Sequence, residues 1–352
     1  MTDIFLKLKE HLEAKLPFAV YAKPGSAVIT GVFQTTPETF TDAELAGSGF
    51  VFAPFADGET VFIPYGKAEV IITEVPESYN AVTGQADTPE INTKTKQRFE
   101  ALVAACVEAI KSSGFEKLVA SRTETATAKS DIETIYKKLL GLYPNAFRYL
   151  FYSPLSGLWM GATPEQLLKA ENNTIHTVAL AGTQLYNAKE TAVWQEKEQQ
   201  EQLFVTNYIL QQLKPFSEGI NTTEPYTFRA GGIVHIKTDI SAELKESVAL
   251  ANVIKTLHPT PAVCGLPKQE AKEWLLQNEG YNREYYSGFL GELNHDFATG
   301  QPKTDLFVNL RCMKVGEGTA QLFIGCGITK DSDPEKEFYE TVNKSMTMRK
   351  AL

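Results

Sequence analysis

Short apolar runs broken by Gly, Pro and polar clusters occupy residues 17–73, where FAVYA, AVITGVF, GFVFAPF and AEVIITEV predict a β-rich segment. Ahead of them, MTDIFLKLKEHLEAKLPF has the spacing of an amphipathic helix. The polar stretch 75–96 has little to bury and reads as a surface loop or mobile connection. From Thr93 the pattern turns helical: Phe99, Leu102, Val103, Cys106, Val107 and Ile110 make one apolar stripe, and Gly114 is placed to end it. KLVASRTETATA then reads as a strand, followed by a helix opened by Ser130 with Glu133 at capping-box spacing. AFRYLFY, TIHTVALAGT, GGIVHIKTDISAEL, TDLFVNLRCMKV and AQLFIGCGI predict further strands. A long helix is expected over about 190–213, and a helical or irregular region over 249–280. The last helix is well marked, with Asp333 as cap, Pro334 in the first helical position and Glu335 at the positive end. There is no internal repeat.

Composition narrows the class. The 352 residues are 43% hydrophobic and 22% charged, enough for a sizeable core in one large or two smaller domains. A net charge of -9 without a Lys/Arg run argues against nucleic acid or an anionic membrane as partner, so a small anionic ligand would need a local cation. The first residues lack a secretory leader's apolar core and cleavage site, and no run reaches transmembrane length; a cytoplasmic protein is expected. Cys106, Cys264, Cys312 and Cys326 show no CxxC spacing, which disfavours a zinc site or redox pair and leaves packed thiols.

Two carboxylate pairs stand out. Glu198 and Glu201 share the face of one predicted helix, Glu337 and Glu340 that of another. Such spacing is usually a solvated face; if the two faces meet, four carboxylates converge and need a cation, and an all-oxygen set suits Mg2+ better than zinc. Lys344 continues the second face, and Arg311 interrupts an apolar run, so either could hold an anion or be paired structurally. Gly325 in GCGI could let backbone N–H groups approach a ligand. His258, between prolines, is by type more often structural; Lys117 is either an edge lysine or a base, and Glu165 in TPEQLL reads first as a helix-start acid.

Taken in order, KLVASR, TPEQLL, ALAGT, KEQQEQ, HIKTDISAEL, LHPTPAVCGLP, REYYSGFLG and GCGITKDSDPEKEFYETVNK resemble the chorismate-utilising family of isochorismate, salicylate, anthranilate and aminodeoxychorismate synthases. The resemblance covers Lys117 to the C-terminus, and only GFVFAPF carries it within residues 1–92. It implies an α/β (α+β) fold of two stacked, largely antiparallel sheets surrounded by helices. A single domain over 1–352 is expected, with residues 1–92 divergent and residues 93–352 bearing the motifs. The resemblance also implies Mg2+ held directly by Glu201 and Glu340 with Glu198 and Glu337 beside them. Arg311, Tyr286 and the Gly325 backbone correspond to receivers of the enolpyruvyl carboxylate, and Gly182, Thr183, His258 and Lys344 to pocket residues. Lys117 corresponds to the general base of the water-using members and Glu165 to the acid for the departing C4 hydroxyl. Lys117 and Ala181 place the chain with the water users, implying isochorismate synthase activity without an obligatory amidotransferase partner; the resemblance favours a monomer, and the absence of a fused carrier or lyase domain leans toward menaquinone rather than siderophore biosynthesis. The alternatives are a salicylate synthase of siderophore biosynthesis, an amidotransferase-coupled synthase, or an inactive anion-binding subunit. Gln202, Glu284 and Cys264 depart from the family's usual residues.

Overall fold

The computed structural model of the protein describes residues 3–352 apart from 77–78, 80–85, 87–88, 189–190 and 231–232. The N-terminal segment holds α1 (Ile4–Glu13), β1 (Phe18–Ala22), β2 (Val28–Gln34), β3 (Phe40–Thr41), β4 (Gly49–Ala53), β5 (Val61–Pro64) and β6 (Ala68–Glu74). Next come α2 (Thr93–Ser113), β7 (Lys117–Thr127), α3 (Ile132–Leu142), β8 (Phe147–Ser153), β9 (Gly157–Thr163), β10 (Gln166–Glu171), β11 (Thr174–Leu185) and α4 (Glu196–Leu213). Then follow β12 (Ser217–Thr222), β13 (Tyr226–Ala230), β14 (Ile233–Leu244), α5 (Leu250–Leu257), β15 (Gly265–Leu266) and α6 (Lys268–Asn278). The chain closes with β16 (Phe289–Leu293), β17 (Thr304–Val308), β18 (Cys312–Val315), β19 (Thr319–Ile328) and α7 (Pro334–Arg349).

The strands form two sheets. One runs β15-β7-β19-β18-β9-β8-β1-β2-β6; the other runs β12-β14-β11-β10-β17-β16-β4-β5-β3, with β13 beside β12 on the edge of β14. Every strand pair is antiparallel. The expected α/β architecture of two large antiparallel sheets with surrounding helices is therefore the observed one.

Strand alternation explains the stacking. In β8, Phe147, Tyr149 and Phe151 point toward the second sheet while Leu150 points to the outer helices. The inner layer is aromatic: Phe147 stacks on Phe307 at 4.3 Å and Phe52 on Tyr285 at 4.3 Å, with Trp159 beside them. Each such ring contributes about 1.5–3 kcal/mol by burial. Helices α1 and α3 cover the outer face of the first sheet through Ile4, Leu8, Ile135 and Leu139. Val205, Ile209 and Leu213 of α4, with Val253 and Leu257 of α5, cover the second. Helices α2, α6 and α7 pack through Phe99, Val103, Leu275 and Phe338 onto Leu118 and Cys326, at the β7/β19 end of the first sheet. All four cysteines are buried free thiols.

Several local expectations are corrected. Helix α3 is capped by Asp131, whose side chain accepts from the Thr134 amide at 3.0 Å, and not by Ser130; Glu133 turns instead to Lys137 and Lys9. Helix α4 starts at Glu196 rather than near 190, because Glu198 reaches back to the Gln195 amide at 2.6 Å and ends the coil there. TDLFVNLRCMKV is two strands in different sheets: β17 pairs with β16, β18 with β19, and between them Arg311 takes a left-handed φ of 48° to cross the gap. The polar connection over 75–96 falls partly outside the described residues, and its end, from Thr93, is already α2. Gly114, with φ 75°, and Asp333, accepting from the Lys336 amide at 2.9 Å, act as their positions predict.

Candidate active site

A cavity of about 370 Å3 opens where the ends of β7, β11, β14 and β19 meet α4 and α7. Lys117 is the first residue of β7 and is 8% exposed. Glu165 is 9% exposed at the corner between β9 and β10, its carbonyl accepting from the Val308 amide at 2.9 Å; the helix start suggested by TPEQLL is absent. Arg311 enters from the crossing between the sheets. Gly325 leaves no room for a side chain, since a Cβ there would lie 2.8 Å from the Tyr286 hydroxyl and 3.0 Å from the Ala120 carbonyl oxygen. Gly182, with φ 67°, sits where the β11–β14 register slips.

Helices α4 and α7 present their acids to this space. Glu198 and Glu201 come from the first turns of α4; Glu337, Glu340 and Lys344 come from α7. The acids are not stacked against one another. Lys117 forms an ion pair with Glu201, while Lys344 pairs with Glu340 at 2.6 Å and donates to the Gly325 carbonyl at 3.1 Å. Burial, and secondarily the charge of Glu340, holds the Glu337 carboxyl above its ordinary range. Glu165 is pushed up to about 7 by burial, against the opposing pull of Lys117, Arg311 and Lys344. Arg311, lowered by burial, still carries its charge.

Eleven of the thirteen candidate site residues thus line one cavity: Lys117, Glu165, Gly182, Glu198, Glu201, Tyr286, Arg311, Gly325, Glu337, Glu340 and Lys344. Thr183 lies in β11, but its side chain is outside the described residues. His258 is not brought in: its Nε2 lies 3.1 Å from the Pro54 carbonyl oxygen and its ring packs edge-on against Phe289. The cavity's histidine is His235, the first residue of the HIKTDISAEL motif, to which the sequence reading gave no role. Its Nδ1 is 2.7 Å from the Gly182 carbonyl oxygen, which assigns the proton to that nitrogen, and burial lowers it to about 4, so it is neutral at pH 7. Two signals could have found it: its place at the head of HIKTDISAEL, and an isolated polar ring in the otherwise apolar run IVHI, facing the ALAGT strand.

In kind, the residues fit a hard divalent cation, since the donors are carboxylate oxygens on two facing helices. Among the described residues, however, no three acidic, His or Cys side chains form a preformed ligand cluster, because lysines hold Glu201 and Glu340.

Two antiparallel sheets closing on a charged cavity that pairs a near-neutral carboxyl with a lysine define a small-molecule enzyme. A family model described as "chorismate binding enzyme" matches residues 66–352, and the chain belongs to that family. The match begins ahead of the Thr93 boundary expected from the motifs. The chain is 31% identical over 274 residues to the salicylate biosynthesis isochorismate synthase of Pseudomonas aeruginosa, covering 75% of this chain and 56% of that protein. It is 26% identical over 293 residues to isochorismate synthase MenF of Escherichia coli, covering 80% and 65% respectively, so it spans less than two thirds of either relative. The solved structure of MenF from Escherichia coli superposes with a TM-score of 0.77 at 21% identity, over 96% of this chain and 88% of that one, a likeness of fold. Among the described residues, no helix is long and apolar enough to cross a membrane.

Proposed function

We propose that the chain is an isochorismate synthase that adds water to C2 of chorismate as the C4 hydroxyl leaves, in a Mg2+-dependent reaction. The observation that carries this reading is one cavity in which Lys117 and Glu165 face a shared space, with Glu165 held at about 7 so that it keeps a transferable proton at neutral pH. Glu201 and Glu340, with Glu198 and Glu337 beside them, would hold Mg2+. When bound, the ion supplies positive charge for the ring carboxylate of the substrate.

The remaining work falls to side chains. Arg311, the Tyr286 hydroxyl and the Gly325 backbone receive the enolpyruvyl carboxylate, while Lys344, Gly182 and Thr183 complete the wall. Lys117 takes a proton from water as its oxygen bonds to C2. The ring double bonds shift, the C4–O bond breaks, and Glu165 gives its proton to the departing hydroxyl, which leaves as water. Atoms balance: one water enters, one leaves. The menaquinone branch is the one we favour, on the likeness to MenF.

Purified protein incubated with chorismate, with Mg2+ or EDTA and without ammonia, tests the reading by chromatography and mass. Isochorismate formed only with Mg2+ is the expected result. Salicylate plus pyruvate would reassign the chain to the salicylate synthases. Turnover only with glutamine and a partner would assign it to the amidotransferase-coupled enzymes, and no turnover at all would leave a binding subunit.

A further inference from the structure

Strand β7 carries Lys117 into the cavity, and its outer edge is only briefly covered. Strand β15 pairs with Lys117 and Leu118, and the Val119 amide still reaches the Cys264 carbonyl at 3.0 Å. Beyond that point no described strand lies alongside this edge. The next two ladder positions, the Val119 carbonyl and the Ser121 amide, are buried, and a buried backbone group left without a partner is costly. Two side chains take the place of the missing strand. Arg283 Nη2 donates to the Val119 carbonyl at 2.6 Å, and Glu279 Oε1 accepts from the Ser121 amide at 2.8 Å and from its hydroxyl at 2.7 Å.

Arg283 and Glu279 are 1% and 6% exposed and hold each other through Nε–Oε2 at 2.7 Å and Nη2–Oε1 at 2.5 Å. A buried ion pair is weak evidence for stability, because desolvation offsets much of the attraction. Its geometry is informative instead. Arg283 Nη1 also donates to the Val263 carbonyl at 2.8 Å, and Val263 lines the cavity. The guanidinium stands 5.9 Å from the Tyr286 ring, another cavity wall. One planar fork therefore fixes the strand of Lys117, the wall at Val263 and the approach to Tyr286 relative to one another.

Resting on the function proposed above, we infer that Glu279 and Arg283 are positioning residues: they act as a side-chain surrogate strand that sets where β7 delivers the Lys117 Nζ. Neither lines the cavity as Lys117 and Glu165 do. Because a displacement of about 1 Å at a reacting group can cost on the order of 100-fold in rate, a loosened β7 lowers turnover more than substrate binding.

The test compares Glu279→Gln and Arg283→Lys with Lys23→Met in the full chain. Lys23 serves as control because its loss breaks a partly buried pair, with Glu292 at 2.5 Å, outside the cavity lining. For isochorismate formation, kcat of Glu279→Gln is expected to fall about 10- to 100-fold with KM changed by less than about 3-fold. Arg283→Lys, which keeps the charge but not the planar fork, should also lower kcat, and Lys23→Met, at a similar drop in Tm, should keep kcat. If Glu279→Gln merely tracks Lys23→Met in Tm and kcat, the pair is structural and the inference is overturned. Should the wild-type chain make no isochorismate, the functional assignment fails on its own, and amide exchange decides the clamp separately. Faster exchange at Val119 and Ser121 in Glu279→Gln than in Lys23→Met supports it; equal exchange rejects it.

Discussion

Glu165 shows how much one position can be changed by its surroundings. A free carboxyl in a TPEQLL segment would be ionised above pH 5, whereas burial at the β9–β10 corner holds it near 7. Two outcomes follow from its being raised above the ordinary 4.5. As the acid of the proposed reaction it must be protonated, so turnover is expected to decline as pH rises through about 7, and Glu165→Gln should lower kcat by about 100- to 10,000-fold while chorismate still binds. For stability the sign is fixed by the raised folded-state value: the contribution is full below about 4.5 and is lost as pH rises through about 7, amounting to about 3 kcal/mol. Chemical denaturation at pH 5 and pH 8 should show wild type losing stability that Glu165→Gln does not lose; equal losses would sink the assignment. Sequence alone named Glu165 only through family resemblance, since its neighbours suggest a helix and its burial is created by strands far away in the chain. His235 was missed for the complementary reason: a histidine in an apolar strand is ordinary until the Gly182 carbonyl fixes its tautomer.

Among elements, those with a strong local pattern were legible. Helix α2 with its stripe and its Gly114 stop, helix α7 with its Asp333–Pro334 start, and strands β7, β11, β14 and β19 all lie where periodicity puts them. What escaped was set by contacts between distant segments. Asp131 displaces Ser130 as cap because only its carboxylate reaches the Thr134 amide, and the apolar run TDLFVNLRCMKV hides a change of sheet that no periodicity reveals. On the two acid-bearing helices, Glu201 and Glu340 are each paired with a lysine, Lys117 and Lys344. A cation that binds there has to draw Glu201 and Glu340 from these partners. Saturating Mg2+ is therefore expected to raise the Tm of the wild-type chain, by the equivalent of about 3 kcal/mol at 100 times its dissociation constant. The rise should vanish in Glu201→Gln and in Glu340→Gln; a rise that persists in both would place the ion elsewhere.

At the scale of the whole molecule, stability rests on the aromatic layer between the sheets. Phe147, packed at 4.3 Å on Phe307 and 5.5 Å from Tyr21, joins the two sheets. Phe147→Ala is expected to cost about 3–5 kcal/mol in urea unfolding, whereas truncating Leu155, 50% exposed in a turn, should change stability by less than about 0.5 kcal/mol. This layering was readable in outline from alternating strands such as AFRYLFY, but the order of strands within each sheet was not, because pairing partners lie far apart in sequence.

The passage of the backbone from one sheet to the other at Asn309–Arg311 bears on how the molecule matures. Neither sheet alone owns the pocket: Arg311 arrives only when both have docked, and Lys117 and Lys344 come from opposite ends of the motif-bearing region. Pairings of such long sequence separation form slowly. Catalytic competence should therefore be the last property a refolding chain regains, with the fluorescence of buried Trp159 recovering before turnover does.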